Sequence, residues 1–177
     1  AGVSAQEPLI ALAPGSVWAT KRWPHYAALA AELVRSIGHR GERIVVLGAA
    51  GDAPLAAAIA SAALEAGGAP VVDATGQLSL LGSAALLGRC RVLVTNDSAP
   101  LHLASAMNTP TVALFGPTVP AFGFGPLAER HTVVEHNSLD CRPCHAHGPA
   151  QCPLGHFRCM RELSPAQVAG AAHALHG

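Results

Sequence analysis

Lysine is nearly absent from this sequence: Lys21 stands alone among eleven basic residues in a chain of 177. Eleven acidic residues balance them, so the formal net charge is zero and no electrostatic case exists for nucleic acid as a partner. Aromatic residues make up 4% of the chain, which leaves the core to be built from aliphatic side chains. No apolar run approaches the length needed to cross a bilayer, and no basic stretch followed by an apolar one opens the chain. A Walker A pattern is missing, and no Gly-x-Gly-x-x-Gly follows a strand; Gly123-Phe124-Gly125 is too short and wrongly placed. What remains is long enough to bury a sizeable core as one domain over 1–177.

Strand and helix patterns alternate along that length. Leu9–Ala13 predicts a buried strand ended by Pro14-Gly15, and Pro24 opens a helix with apolar Tyr26, Leu29, Ala30, Leu33, Val34 and Ile37, stopped by Gly38 and Gly41. Ile44–Leu47 is a second strand, after which Asp52 is placed to cap a helix with Pro54 inside it and Gly67-Gly68 beyond it. Val71-Val72 is a minimal third strand, followed by a helix from Ser79 to Leu87. Val92–Thr95, Thr111–Leu114 and His131–Val134 are the remaining strands, with a helix over Pro100–Met107. Residues 136–163 read as a cysteine-rich loop insertion, and Ser164-Pro165-Ala166-Gln167 as a capping box before a last helix at 164–177. Apolar strands separated by helices predict an α/β fold, a doubly wound Rossmann-like parallel sheet.

The unusual polar residues gather after the strands. Ser16, Thr20 and Lys21 follow the first; Asp52 the second; Gln77 and Ser79 the third; Asn96, Asp97 and Ser98 the fourth; Gly116, Pro117 and Thr118 the fifth. Carboxyl ends of strands are where open α/β sheets bind ligands. The most informative stretch is Val94-Thr95-Asn96-Asp97-Ser98-Ala99-Pro100-Leu101-His102-Leu103-Ala104. Ser98 can cap the helix that follows, and small Ala99 lets a ligand come close to the backbone. The open N–H groups and the positive helix end suit a phosphate, while Asp97 would repel one and suits a hydroxyl. A plain strand–helix turn with an Asx cap is the alternative. Lys21 can supply a mobile point charge to a diphosphate, or belong with Arg22 to a solvated pair. His102, one turn into the helix, can donate to a phosphate or ribose oxygen, or pack as a neutral core histidine. Cys141-x2-Cys144-x7-Cys152-x6-Cys159 suggests a structural zinc knuckle, with His145, His147 and His156 as competing ligands; packed free thiols, or disulfides formed on oxidation, are the alternatives. Cys90 reads as a small core residue.

Ala13-Pro14-Gly15-Ser16, Lys21-Arg22-Trp23-Pro24, Leu47-Gly48-Ala49-Ala50-Gly51-Asp52, Thr95–Ala104 and Pro110–Thr118 together resemble the C-terminal half of the ADP-heptose:lipopolysaccharide heptosyltransferases, most closely the second-heptosyltransferase branch. The resemblance runs nearly end to end. It implies one half of a GT-B fold, two Rossmann-like domains facing across a cleft, with Ala1–Pro8 as interdomain linker. It implies Ser16, Val17 and Lys21 at the diphosphate of an ADP-heptose donor, Asp52 at the ribose and Leu78 against adenine. Asp97 would meet the heptose, Ser98 and Ala99 would offer amides, and His102 would support them; Ala99 stands where glycine is common in the family. The acceptor, the lipopolysaccharide inner core, and the catalytic carboxylate belong to the other half, so no catalytic residue is expected here and the isolated domain is expected to be inactive. Transfer needs no cofactor, and a structural zinc is the one metal the cysteines suggest. The resemblance implies work in the cytoplasm at the inner face of the bacterial inner membrane, with peripheral membrane contact in the full-length protein alone. Another sugar-nucleotide enzyme of this architecture, an epimerase or a different transferase, and a non-enzymatic nucleotide-binding or zinc-knuckle module are the alternatives.

Overall fold

Leu9–Ala13 carries no polar side chain; it forms β1, and every residue of it is buried. A strand apolar on both faces must be covered on both. The structure, a computed structural model, describes residue 4 and residues 7–37 and 41–176. Most of the expected linker at 1–8, the Ile37 side chain, the Gly38 stop and Gly177 lie outside these residues. The other strands are β2 (Arg43–Val46), β3 (Val72–Asp73), β4 (Cys90–Asn96), β5 (Thr111–Phe115) and β6 (His131–Glu135). Their order in the single sheet is β3-β2-β1-β4-β5-β6 and every pairing is parallel. That is the Rossmann order, with the reversal of direction between β1 and β4.

The helices are α1 (Tyr26–Ile37), α2 (Ala53–Glu65), α3 (Leu80–Leu87), α4 (Ala99–Ala106), α5 (Arg158–Arg161) and α6 (Pro165–His176). Alternate residues of β1 separate the two faces. Ile10 and Leu12 enter a cluster with Tyr26, Leu29 and Leu33 of α1, Ile59 of α2 and Val168 of α6. Leu9, Ala11 and Ala13 enter the opposite cluster with Leu86, Leu87 and Ala104 from α3 and α4. The α2 helix closes as its sequence suggests, with the Gly67 and Gly68 amides donating to the Leu64 and Ala63 carbonyls, both at 2.9 Å. The Gln167 amide donates to the Ser164 hydroxyl at 3.2 Å, so that cap of α6 is made. Cys90 is buried at the start of β4, as expected of a core residue, and burial pushes its thiol up to about 12.

Two expectations need correction. β3 is Val72–Asp73 rather than Val71-Val72, because its pairing with Val45 and Val46 of β2 begins at Val72. The segment 136–163 is not loop throughout: it ends in α5, and Cys159, Met160 and Leu163 are buried in the core cluster beneath α1 and α6. Three apolar side chains at a helical turn next to α6 had somewhere to go, and burying them outweighs the surrounding Pro and Gly.

Candidate functional site

Loops after β1, β2 and β4, with one side of α3 and the first turn of α4, enclose a cavity of about 630 Å³ at the carboxyl end of the sheet. It opens at the switch point between β1 and β4, where two neighbouring loops leave in opposite directions. Leu47, Leu80, Leu87 and Leu103 give it an apolar wall, while Lys21, Arg22, Asp97 and Ser98 give it a polar end.

After β1 the chain passes Pro14-Gly15 to one turn of 3-10 helix at Ala19–Lys21. The Arg22 Nε donates to the Ser16 carbonyl at 2.7 Å, and the Thr20 hydroxyl donates to the Pro149 carbonyl. Ser16, Val17 and Trp18 therefore form a lip over the cavity, with Val17 exposed. Asn96, buried at the end of β4, ties this loop down. Its Nδ2 donates to the Pro14 carbonyl at 2.8 Å, and its Oδ1 accepts from the Trp23 amide at 3.2 Å. The Tyr26 hydroxyl is shared between Asn96 Oδ1 at 3.3 Å and the Ala13 carbonyl at 3.2 Å. Burial holds the Tyr26 phenol well above its ordinary pKa, so it stays a donor. Sequence reading placed Asn96 among the loop polars; its work is to fix β1 and β4 against each other on either side of the cleft.

Lys21 is held rather than mobile. Its ammonium donates to Asp97 Oδ2 at 2.6 Å, and the two side chains are 11% and 6% exposed. The Thr118 hydroxyl donates to the same oxygen at 2.7 Å. This corrects the picture of a free point charge and excludes a solvated Lys-Arg pair. Asp97 does accept from a hydroxyl, but that of Thr118, and among the described residues nothing is bonded to its Oδ1. An ammonium has three N–H donors, so Lys21 keeps others for a ligand.

Two of the three proposed helix caps, those at Ser98 and Asp52, are not made as expected. Ser98 precedes α4 in an extended conformation, and its hydroxyl donates to the Asn96 carbonyl at 3.3 Å rather than accepting from the helix. Among the described residues no acceptor meets the Ser98 or Ala99 amide, which leaves both N–H groups at the positive end of an eight-residue helix beside the cavity. Asp52 does not cap α2 with its side chain; Oδ2 accepts from the Ala49 amide at 2.9 Å and so closes the preceding turn. Its carboxylate sits where Gly15 and Gly48 meet: a Cβ on either would fall 2.2 Å or 2.7 Å from Asp52 Oδ2. The loops after β1 and β2 can share this carboxylate because both positions are glycine.

Leu78, expected against adenine, is not among the residues that line the cavity. It packs, partly buried, against the core cluster under α3, and Leu80, two residues on and 67% exposed, takes the cavity wall. His102 is exposed on α4 and meets the Phe124 ring edge-on at 6.4 Å, outside the lining, so it is no core histidine. The four thiols of 141–159 lie close without forming a set. Cys141 Sγ is 3.9 Å from His156 Nε2, and Cys144 Sγ donates to the Cys141 carbonyl at 3.2 Å. Burial, then the neighbouring Cys144, pushes the Cys159 thiol up to about 11. Burial also acts to raise Cys152, yet amides led by that of Phe157 outweigh it and lower its pKa. Among the described residues no three His, Cys, Asp or Glu side chains are arranged to hold a metal ion, so the zinc knuckle expected from the spacing does not fit this arrangement.

Residues 1–154 match the family model of glycosyltransferase family 9 (heptosyltransferase). The chain is 30% identical over 174 residues to lipopolysaccharide heptosyltransferase 2 of Salmonella typhimurium, covering 98% of this chain and 48% of that protein. It is 35% identical over 133 residues to lipopolysaccharide heptosyltransferase 2 of Escherichia coli, covering 75% of this chain and 37% of that protein. Its fold is similar to the solved structure of E. coli ADP-heptose lps heptosyltransferase II, with a TM-score of 0.79 and 29% identity over 99% of this chain and 48% of that one. The chain spans about half the length, or less, of these relatives.

Proposed function

Because the chain belongs to glycosyltransferase family 9, we propose that it is the half of a heptosyltransferase that holds the sugar nucleotide, ADP-heptose. The observation that carries this reading is one cavity that joins an apolar wall to a polar end with a held ammonium and two open amides. Adenine lies against Leu47 and Leu80, and the ribose hydroxyls meet Asp52. The diphosphate runs past Ser16 and Val17 to Lys21 and the Ser98 and Ala99 amides, with His102 at the rim. The heptose is met by the open oxygen of Asp97. A carboxylate beside two phosphates would be unfavourable on its own; paired with Lys21 and Thr118 it is neutralised on one oxygen and can accept from the sugar on the other.

In the transfer itself, an acceptor hydroxyl of the lipopolysaccharide inner core attacks the anomeric carbon from the face opposite the diphosphate. The bond from that carbon to the diphosphate oxygen breaks, ADP leaves, and the hydroxyl proton passes to a carboxylate of the other half. This chain's share is to hold the donor and stabilise the charge that grows on the leaving diphosphate, through Lys21 and the amides at the start of α4. No cofactor is needed where these groups neutralise the leaving group, and no step is assigned to the cysteines. No helix among the described residues is long and apolar enough to cross a membrane. On the family reading, the whole enzyme works at the cytoplasmic face of the inner membrane and touches it through the other half.

A transfer assay tests the division of labour. With ADP-heptose and truncated lipopolysaccharide, the 177-residue chain is expected to bind donor yet transfer nothing until an acceptor-binding half is supplied, since turnover needs an acceptor in line and a base within reach of its hydroxyl. Appreciable transfer by the chain alone would overturn it.

A further inference from the structure

Arg142 stands between two cysteines, in the turn Cys141-Arg142-Pro143-Cys144, and its side chain is 5% exposed. A guanidinium carries five N–H donors in one rigid plane. Here they reach acceptors from two strand ends. Nη2 donates to the Phe115 carbonyl at 3.2 Å, the Thr118 carbonyl at 3.0 Å and Glu135 Oε2 at 2.7 Å. Nη1 donates to the His136 carbonyl at 2.6 Å, and Nε to the Gly116 carbonyl. The end of β5, the turn after it and the end of β6 are thus fastened by a single side chain of the cysteine-rich segment. The Cys144 amide, donating to the Pro117 carbonyl at 2.8 Å, fastens the same turn from the other side.

Thr118 carries the connection inward. It is buried, its carbonyl is taken by Arg142, and its hydroxyl donates to Asp97 Oδ2 at 2.7 Å, the oxygen that also accepts from Lys21 at 2.6 Å. Two donors on one oxygen fix the plane of the Asp97 carboxylate, and with it the direction of Oδ1 and the seat of the Lys21 ammonium. With Lys21 matched by Asp97 and Arg142 by Glu135, the pull of Lys21 on a phosphate depends on where its hydrogens point, and Arg22 at the same end of the cavity adds its charge separately.

We propose that Arg142 is a positioning residue of the donor site: by fixing the Thr118 peptide it aims the Thr118 hydroxyl at Asp97, and so sets Lys21 and the open Asp97 oxygen toward a diphosphate sugar. The inference rests on the donor-binding reading above. It gives the cysteine-rich segment a task in the site that its thiols do not reveal.

Lys21 is the only lysine, so 13C-labelled lysine gives one side-chain NMR signal that reports the ammonium's setting without any ligand. In folded Arg142→Gln and Thr118→Val chains, which keep Lys21 as the only lysine, that signal is expected to move toward the position of free lysine. Affinity for ADP is expected to fall about tenfold while affinity for adenosine, which has no phosphate, is unchanged. Thr118→Ser, which keeps the hydroxyl, is expected to match the unsubstituted chain in both. Should Arg142→Gln fail to fold, the Thr118→Val and Thr118→Ser pair carries the test. An unmoved lysine signal, or equal losses for ADP and adenosine, would reduce Arg142 and Thr118 to structural clamps and overturn the proposal. An unsubstituted chain that binds no ADP would overturn the donor reading and this inference with it, whereas variants that bind ADP as well as the unsubstituted chain would overturn the positioning role alone.

Discussion

The cavity and the cysteine-rich segment solve the same problem, holding side chains still at the carboxyl end of a sheet, by different means. Around the cavity the loops are short and each polar group stands close behind a strand: Asp97 directly follows β4, and Lys21 ends a single turn after β1. Strand direction and length do most of the positioning there, and one buried amide, Asn96, joins the two strands across the cleft. The cysteine-rich segment leaves the end of β6 and then runs without strand structure to α5. Its contacts with the rest of the fold centre on one buried guanidinium, with the Cys144 amide and the Pro149 carbonyl beside it, and on Cys159, Met160 and Leu163 in the core. Local spacing therefore foretells which residues gather at the cavity in the first region and misleads in the second, where the cysteines draw the eye and Arg142 carries the contacts.

The largest effect should come from the core anchor of the second region. Met160 is fully buried, so Met160→Ala should cost ~2–5 kcal/mol in urea unfolding. A loss near zero would return 136–163 to the status of a dispensable insertion and break the comparison. Next comes the polar end of the first region. Lys21→Ala should weaken ADP binding by ~1.5–3 kcal/mol, roughly 10- to 100-fold, as read by calorimetry, through loss of a charge-assisted contact. Unchanged affinity would remove Lys21 from the phosphate site. The smallest effect separates a made cap from an unmade one. Ser79 accepts from the Gly82 amide at 3.1 Å, so Ser79→Ala should cost ~1 kcal/mol of stability. Ser98 makes no such bond, and Ser98→Ala should cost less than about 0.5 kcal/mol; equal losses would restore the capping role that the sequence suggested.

Much of the sheet was legible because its strands are apolar on both faces and bounded by Gly, Pro and Asn, a pattern with few other solutions. The cleft was legible because polar residues fell after strand upon strand. Gln77-Leu78-Ser79-Leu80 offers a leucine on either side of the Ser79 cap, and only the start of α3 decides that Leu80 is the one lining the cavity. The caps at Asp52 and Ser98 misled because an acceptor at the right position also has other donors and carbonyls within reach. Arg142 and Thr118 left little local signal: their partners are mostly backbone carbonyls, which every residue has, brought together from β5 and β6 by the fold.

The most direct measurement of the central claim is a calorimetric titration of the 177-residue chain with ADP-heptose, set beside ADP and a UDP-sugar. The account predicts saturable binding of ADP and ADP-heptose at one site per chain, with the UDP-sugar much weaker. Preference for the UDP-sugar, or no binding of any of the three, would contradict it.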